Sequence, residues 1–259
     1  MRFGKRFFRK RILKPLKNIK DDCRREINNW SVSYQARKEY SSGRDRRPFY
    51  QLAKKYLPIE PQEVIVDIGA GQGYFAEYLH LNKTFPNFYL LDASHSSIEH
   101  LKNKFKNIKL YVAPDKLPFD DDSVGFIHCS HLVEHLYHAE LYKFLQEIDR
   151  VLKAGGILVI STPLFWTNFY GELSHVRPYN PEVFLGCFCR KLDQSSLESI
   201  AGNYRILEQI YRYTNISFEE WGSENKFFDG VVYLFKGILQ TLGIKKYIKN
   251  GYTLVLQKI

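Results

Sequence analysis

The feature that most constrains the fold is a short apolar run that opens directly into three glycines. Residues 64–68, with the sequence VIVDI, have the length and β-branched composition of a buried strand. They lead into Gly69, Gly71 and Gly73, and apolar side chains at helical spacing follow from Tyr74. Glycine lets a backbone turn tightly and come close to a ligand. The run therefore predicts a strand, a glycine turn and a helix, in that order.

The alternation of strands and helices continues on both sides of this turn. Further strands are predicted at 88–91, 108–112, 123–129, 157–160, 204–211 and 252–256. Further helices are predicted at 48–57, 97–105, 139–152 and 181–188, with a helical insertion at 218–242. Strands that alternate with helices at this spacing are typical of a parallel sheet covered on both faces. We therefore expect an α/β, doubly wound fold.

Composition excludes several other classes of protein. The chain has 259 residues, of which 44% are hydrophobic and 25% charged, as in ordinary globular proteins. No apolar run approaches the roughly 18 to 20 residues that cross a bilayer, so we expect a cytoplasmic protein. The four cysteines are too few for a disulfide scaffold. Cys187 and Cys189 lack a second pair and a flanking histidine, and we predict no metal site.

The positive charge is concentrated at the N-terminus. Residues 1–47 contain 16 Lys and Arg against 5 Asp and Glu, whereas residues 48–259 contain 22 against 23. This contrast predicts a basic N-terminal helical arm followed by one domain over 48–259. Residues 1–29 mix Arg and Lys with apolar side chains, which is typical either of a helix on an anionic membrane, here the inner face, or of a helix packed on its own domain. Without an aromatic stacking pattern, the charge argues less for nucleic acid.

An acidic residue follows the glycine turn at a distance that suggests a ligand. Asp92 ends the second predicted strand, 19 positions after Gly73. A carboxylate at this point can accept hydrogen bonds from both hydroxyls of a ribose. Because the carboxyl ends of neighbouring parallel strands meet at one edge of the sheet, the glycine turn and Asp92 predict a nucleoside site there.

Five blocks, in order, carry a family resemblance. They are Val64–Gly73, Leu90–Ser94, Leu117–Ser123, Ser130–Leu136 and Arg150–Gly156. Together they resemble the class I S-adenosylmethionine-dependent methyltransferases, in particular the small-molecule O-methyltransferases. The resemblance implies a Rossmann-like, mostly parallel seven-stranded sheet whose last strand is antiparallel, and residues 251–259 would form that strand. It also implies S-adenosylmethionine as the cofactor.

The resemblance also implies a set of cofactor-binding residues. Asp92 would hold the ribose, Asp67 would order the glycine turn, and Leu132 would cover the methionine end. The remaining members would line the cofactor: Gly69, Ala70, Gly71, Gly73, Ala93 and Ser94. Where the family usually has an Asp and a small residue for adenine, this chain has Ala113 and Pro114. Asp115 would then replace the missing acceptor, or adenine would be held by packing.

Candidates for the chemistry come from three histidines, His131, His135 and His175. An imidazole has a pKa suited to a general base at neutral pH. By the same resemblance His135 lies where acceptor and cofactor meet, and its alternative role is to satisfy backbone groups at a helix start. The stretch Ser174–Tyr179 resembles, more loosely, methyltransferases of polysaccharide gene clusters, in which His175, Arg177 and Tyr179 would face the acceptor. A plain surface turn is the alternative.

The sequence thus predicts a methyltransferase that acts on an oxygen of a small or glycan-type acceptor, in cell-surface polysaccharide or lipopolysaccharide biosynthesis. Two alternatives stay open. One is an O-methyltransferase for a quinone precursor. The other is a degenerate fold that acts as a scaffold, because Ala113 and Pro114 depart from the family pattern at the adenine position.

Overall fold

The computed structural model describes residue 40 and residues 45–189, 199–216, 237–238, 241 and 245–259. Six helices lie with their full bounds in this part: α1 (Arg47–Lys54), α2 (Tyr74–Leu79), α3 (Leu81–Thr84), α4 (His95–Lys102), α5 (His138–Val151) and α6 (Pro181–Phe188). Its seven strands are β1 (Ile65–Ile68), β2 (Phe88–Asp92), β3 (Ile108–Leu110), β4 (Val124–Ser130), β5 (Leu152–Pro163), β6 (Tyr204–Ile216) and β7 (Lys246–Lys258). Short 3₁₀ turns lie at Val133–His135 and Phe169–Gly171.

All seven strands form one sheet in the order β3-β2-β1-β4-β5-β7-β6. The pairs from β3 to β5 are parallel, whereas β7 runs antiparallel to both β5 and β6. The predicted fold class, with its antiparallel last strand, is therefore confirmed. The chain reverses its direction across the sheet at β1 and β4, which is where open α/β sheets form ligand crevices beyond the carboxyl ends of their strands.

The core has two layers because side chains alternate between the faces of each strand. In β5, Leu158 and Ile160 pack on one face with α5 and α6, and Val159 packs on the other face with α1 and α2. Most of these side chains are fully buried. Because helices cover both faces of the sheet, side chains on both sides of a strand are buried, and the strand sequences are continuous apolar runs.

The structure extends several predicted elements. The last two strands are 13 residues long each, because they pair with one another along their whole length. Strand β5 begins at Leu152, directly after α5, whereas the sequence pattern places its start at residue 157. Gly155 lies inside this extension and has a φ of 80°, which is typical of a turn. For this reason the sequence pattern predicts a turn here and not a strand.

Two predicted segments fall largely outside the described residues. The basic arm of residues 1–47 is described only at residues 40 and 45–47, and the insertion of residues 218–242 only at 237, 238 and 241. Within the described part of the chain, none of the helices has the length and the apolar character needed to cross a bilayer.

Candidate active site

A large open cavity lies at the carboxyl ends of β1, β2 and β4. Its volume is about 1480 Å³, against roughly 300 to 1,000 Å³ for usual small-molecule sites. The space is therefore sufficient for two ligands side by side. Its lining includes Asp67, Gly69, Ala70, Gly71, Asp92, Ala93, Val112, Ala113, His128, His131, Leu132, His135, His175, Arg212 and Asn250.

One side of the cavity, here called the glycine wall, is formed by Gly69, Ala70, Gly71, Asp92 and Ala93. The backbone N–H groups of Gly69 and Ala70 donate to the carbonyl of Leu91 at 2.8 and 3.1 Å. Oδ2 of Asp92 accepts a hydrogen bond from the N–H of Gly71 at 2.7 Å. The Asp92 side chain thus ties the glycine turn to the end of β2, and its half-buried carboxylate still faces the cavity.

The three glycines of the turn have different reasons for being glycine. All have a positive φ, between 54° and 77°. A Cβ on Gly71 would meet no atom within 4 Å, so the space beside it is open to a ligand. A Cβ on Gly73 would lie only 2.8 Å from Leu101, so this glycine lets α2 pack on α4. Gly71 borders the cavity, whereas Gly73 belongs to the packing beneath it.

A buried pair supports the glycine wall from below. Oδ1 of Asp67 lies 2.7 Å from Nδ1 of His128, and both side chains are buried. The two residues are paired in register on β1 and β4, which points their side chains to the same face of the sheet. The ring of His128 stacks on Phe75 at a centroid distance of 3.8 Å. Asp67 therefore holds β1 to β4 and the start of α2 directly beneath the glycine turn.

Another part of the cavity lining, here called the histidine wall, is formed by His131, His135 and His175, with the buried Glu134 beside them. Nε2 of His131 lies 2.8 Å from Nη1 of Arg212. Because a guanidinium can only donate, Nε2 must carry a lone pair, and the proton of the neutral ring sits on Nδ1. Burial lowers the pKa of His131 to about 4, which agrees with the neutral ring.

Glu134 is fully buried behind the histidines. Its Oε2 accepts a hydrogen bond from Thr162 at 3.0 Å, and its Oε1 lies 3.0 Å from Nδ1 of His131. Burial raises the pKa of this carboxyl, but His131, a backbone hydrogen bond and His135 together outweigh burial, and the pKa lies below its ordinary value. Glu134 therefore carries a negative charge inside the protein.

His135 and His175 present matching nitrogens to the cavity. Nδ1 of His135 lies 2.9 Å from the carbonyl of Ser174, and Nδ1 of His175 lies 2.7 Å from the carbonyl of Phe169. A carbonyl can only accept, so both rings are protonated at Nδ1 and have a free lone pair at Nε2 when neutral. Either histidine can therefore accept a proton or bind a cation at Nε2.

Two arginines add positive charge to the cavity. Arg46 precedes α1, Arg212 lies in β6, and both line the space. Burial, followed by repulsion from Arg46, lowers the pKa of Arg212 to about 10. Among the described residues, no carboxylate lies within 4 Å of either guanidinium. The lining also contains Arg47, which pairs with Asp45, and the acidic residues Asp67, Glu77, Asp92 and Glu172. The guanidiniums of Arg46 and Arg212 therefore favour a negative group of the occupant only in the part of the cavity beside them.

Five residues predicted for the site do not line this cavity. Gly73 packs below it, and Ser94 contributes its N–H to Oδ1 of Asp92 at 2.8 Å. Asp115 is exposed outside the cavity, whose apolar patch near Ala93 consists instead of Val112 and Ala113. Of the two hypotheses for adenine, binding by apolar packing fits this geometry better than a hydrogen bond to Asp115.

The two residues predicted to bind the acceptor, Arg177 and Tyr179, also lie outside the lining. Arg177 is exposed, with its guanidinium 5.9 Å from the centre of the Tyr179 ring. The Tyr179 hydroxyl is buried and donates to the carbonyl of Leu136 at 2.8 Å. Tyr179 thus packs in the core, and the arginines that line the cavity are Arg46, Arg47 and Arg212.

Sequence reasoning assigned no role to His128, Arg212 or Arg46. The signal for His128 is its place in β4, which faces Asp67 once these strands are known to be neighbours. Arg212 gives no such signal, because it reaches the cavity through the pairing of β6 with β7, far from the motifs along the chain.

Residues 66–160 match the sequence profile of the family described as "Methyltransferase domain". A Mycobacterium tuberculosis (strain ATCC 25618 / H37Rv) protein named as a probable S-adenosylmethionine-dependent methyltransferase is 25% identical over 117 residues. The match covers 45% of this chain and 41% of the relative. The biotin biosynthesis bifunctional protein of Cellvibrio japonicus is 31% identical over 41% of this chain and 21% of its own length. The chain thus spans less than half the length of these two relatives.

Solved structures share the fold. A SAM-dependent methyltransferase from Archaeoglobus fulgidus superimposes with a TM-score of 0.53 at 19% identity, over 83% of this chain and 95% of its own. An S-adenosylmethionine-dependent methyltransferase from Mesorhizobium loti gives 0.53 at 15% identity, over 83% and 99%. Residues 66–160 thus match a methyltransferase domain, and the strand order of the sheet is that of a fold shared with these solved methyltransferases.

Proposed function

We propose that the protein transfers a methyl group from S-adenosylmethionine to an oxygen of a small or glycan-type acceptor. The observation that carries the proposal is the presence of both walls in one cavity. The glycine wall offers a nucleoside site, and the histidine wall offers two free Nε2 atoms. A cavity of about 1480 Å³ accommodates cofactor and acceptor together.

On the glycine wall, the carboxylate of Asp92 would accept hydrogen bonds from the ribose hydroxyls. Its two existing bonds, from the N–H groups of Gly71 and Ser94, fix the carboxylate before the ligand arrives. Ala93, Val112 and Ala113 would pack against the adenine. The methionine end would then extend past Gly69 and Leu132, where the side chain of Leu132 already lies against the glycine turn.

The chemistry requires alignment and the removal of one proton. The acceptor oxygen forms a bond to the methyl carbon while the carbon–sulfur bond breaks, and its electron pair stays on sulfur. The proton of the hydroxyl passes to Nε2 of His135 or His175 and then to water. Positioning supplies much of the rate, because the sulfonium methyl is already activated.

Two arginines of the cavity that have no acidic partner among the described residues support an acceptor with a negative group. Arg212 and Arg46 would hold a carboxylate or phosphate, such as the phosphate of a nucleotide-linked or lipid-linked sugar. The carboxylate of the cofactor is a second candidate. Methylthioadenosine, which lacks that carboxylate, separates the two. If Arg212 holds the cofactor, Arg212→Gln weakens S-adenosylhomocysteine but leaves methylthioadenosine unchanged, and if Arg212 holds the acceptor, neither affinity changes.

Two experiments test the proposal. Calorimetric titration with S-adenosylhomocysteine should give micromolar binding to one site, and absence of binding would favour the scaffold alternative. Labelled methyl from S-adenosylmethionine should then be found on an oxygen of a nucleotide-linked or lipid-linked sugar. Labelling of a quinone precursor instead would favour that class of acceptor. His135→Ala should lower turnover and leave cofactor affinity intact, and unchanged turnover would remove His135 from the mechanism.

We further propose that the basic arm of residues 1–47 brings the enzyme to an anionic membrane that holds its acceptor. The support is the excess of 16 basic over 5 acidic residues in that segment. In flotation, the full chain should rise with vesicles that contain phosphatidylglycerol and stay below with neutral vesicles. A chain that starts at residue 45 should bind neither, and equal behaviour of both chains would contradict the proposal.

A further inference from the structure

Three ligating side chains converge on the histidine wall. A carboxylate oxygen of Glu134, a ring nitrogen of His135 and a ring nitrogen of His175 all lie within 4.8 Å of one another. Metal bonds to such atoms are about 2.0 to 2.2 Å long, which places neighbouring ligand atoms roughly 3 to 3.5 Å apart. The most distant of these atoms need to approach by roughly 1.3 to 1.8 Å to surround an ion.

The two histidines are held in the way that metal-binding histidines usually are. Each ring donates its Nδ1–H to a backbone carbonyl, that of Ser174 for His135 and that of Phe169 for His175. Such a bond fixes the tautomer and the ring orientation, and leaves Nε2 free as a ligand. The ring centroids are 5.1 Å apart, so the two rings are close neighbours.

Glu134 supplies the second, independent observation. Its side chain is fully buried, and its Oε2 is satisfied by Thr162. Its Oε1 has no well-directed hydrogen bond from any residue in the described part of the chain, although Nδ1 of His131 lies 3.0 Å away. A buried carboxylate is costly to keep ionised when its neighbours, Thr162 and the neutral ring of His131, carry no charge. A cation beside it would compensate this charge.

The backbone brings the three ligands together from two loops. The carbonyl of Glu134 accepts hydrogen bonds from the N–H groups of Val176 and Arg177 at 2.9 and 3.2 Å. These bonds hold the loop after β5 against the 3₁₀ turn after β4, so His175 reaches the neighbourhood of Glu134 and His135. The sequence does not indicate this cluster, because His175 lies about forty residues after Glu134 and His135, and this separation matches no common metal motif.

We propose that Glu134, His135 and His175 bind one divalent transition-metal ion of the Zn²⁺, Fe²⁺, Co²⁺ or Mn²⁺ class. Two imidazoles and one carboxylate favour these ions over Mg²⁺ and Ca²⁺, which prefer oxygen ligands. Three protein ligands leave at least one coordination position open, as in catalytic rather than structural sites. Because His135 and His175 line the cavity, that position faces the acceptor space.

The consequence for catalysis rests on the proposed methyl transfer. The acceptor hydroxyl would occupy the open position, where the ion lowers its pKa and its proton passes to water. The oxygen then forms the bond to the methyl carbon, and the electron pair of the broken carbon–sulfur bond stays on sulfur. In the metal-bound protein both Nε2 lone pairs are engaged, so the ion replaces the histidines in activating the hydroxyl.

Metal binding can be measured without turnover. The full-length protein, free of any affinity tag and stripped with EDTA, is titrated with Co²⁺ followed by visible absorption, and Zn²⁺ is then added in competition. We expect one equivalent to bind. His175→Ala and Glu134→Gln should weaken binding at least tenfold, whereas His95→Ala, an exposed histidine at the start of α4, should bind as the wild type does.

Wild-type affinity in both site variants would overturn the proposal, as would failure of the wild type to bind Co²⁺ or Zn²⁺. Circular dichroism checks that each variant is folded, and if one of them is not, the other decides. Titration of the same metal-free protein with S-adenosylhomocysteine separates the two proposals. Cofactor binding without metal binding refutes the metal site alone, and metal binding without cofactor binding refutes the methyltransferase function alone.

Discussion

The glycine wall and the histidine wall face the same cavity, yet they are built in different ways. The hydrogen bonds that shape the glycine wall itself join residues of the β1 and β2 loops, as when Asp92 accepts from Gly71 and Ser94. The histidine wall gathers residues from four distant segments, with Arg212 on β6 reaching His131 after β4 and Thr162 on β5 reaching Glu134. The glycine wall is therefore formed by segments close together in the chain, whereas the histidine wall depends on the arrangement of the whole sheet.

The largest effect is expected on the glycine wall, from Asp92→Ala. The substitution removes the acceptor for the ribose hydroxyls and the tie to Gly71. Hydrogen bonds to a charged group contribute about 1.5 to 3 kcal/mol each, so the affinity for S-adenosylhomocysteine should fall more than about a hundredfold in calorimetry. Asp115→Ala is the matched control, and it should leave the affinity unchanged because Asp115 lies outside the cavity. A loss with Asp115→Ala would restore its sequence-based role at the adenine.

The next largest effect tests the support beneath the glycine wall. Asp67→Ala leaves His128 buried without its partner, and breaking a buried pair in this way costs about 3 kcal/mol. Urea unfolding should show this loss in the free energy of unfolding. Asp121→Ala, in which an exposed carboxylate leaves Arg150 with its other partners, should cost less than about 1 kcal/mol. Equal costs would mean that the pair of Asp67 and His128 does not stabilise the sheet.

On the histidine wall, stability should depend on pH through His131. Its pKa of about 4 in the folded protein lies below the value of about 6.5 in an unfolded chain. Between pH 6.5 and 4 the unfolded state therefore binds the extra proton, and the folded state loses stability as the pH falls.

The measurement compares urea unfolding at pH 7 and pH 4.5 for the wild type and His131→Asn. Asparagine tolerates the φ of 56° at this position. The wild type should lose about 2 kcal/mol more than the variant over this interval. Parallel losses in both proteins would show that other groups, and not His131, dominate the acid response.

The smallest effect separates two glycines of one turn. Gly71→Ala should cost about 1 kcal/mol from its positive φ alone, because the space beside it is open. Gly73→Ala should cost about 1 kcal/mol more, since its Cβ also meets Leu101. Urea unfolding measures both. Calorimetry with S-adenosylhomocysteine should give the reverse order, with the larger loss of affinity in Gly71→Ala. Only this substitution places a methyl group at the cavity.

The fold could be predicted from the sequence because its signals are short in range. The apolar run before Gly69, the glycines and the acid at Asp92 lie within 30 residues, and each strand of the parallel part has its own apolar block. The sequence predicted the length of a strand least well where pairing with a neighbouring strand sets that length, as in β6 and β7. In the Ser174–Tyr179 stretch, His175 lines the cavity but Arg177 and Tyr179 do not, because the sequence of a loop does not show which of its side chains point inward.

The sequence by itself determined the parallel α/β sheet, the glycine turn and the acidic residue beside it, because each depends on neighbours along the chain. Only the tertiary structure decided that Asp67 pairs with His128, that Arg212 rather than Arg177 faces the cavity, and that His175 meets Glu134 and His135. These contacts join segments 39 or more residues apart, at positions set by strand register and by loop-to-loop hydrogen bonds. A local sequence pattern does not contain the information on which residues of two strands lie side by side. That alignment is fixed by the packing of the whole sheet.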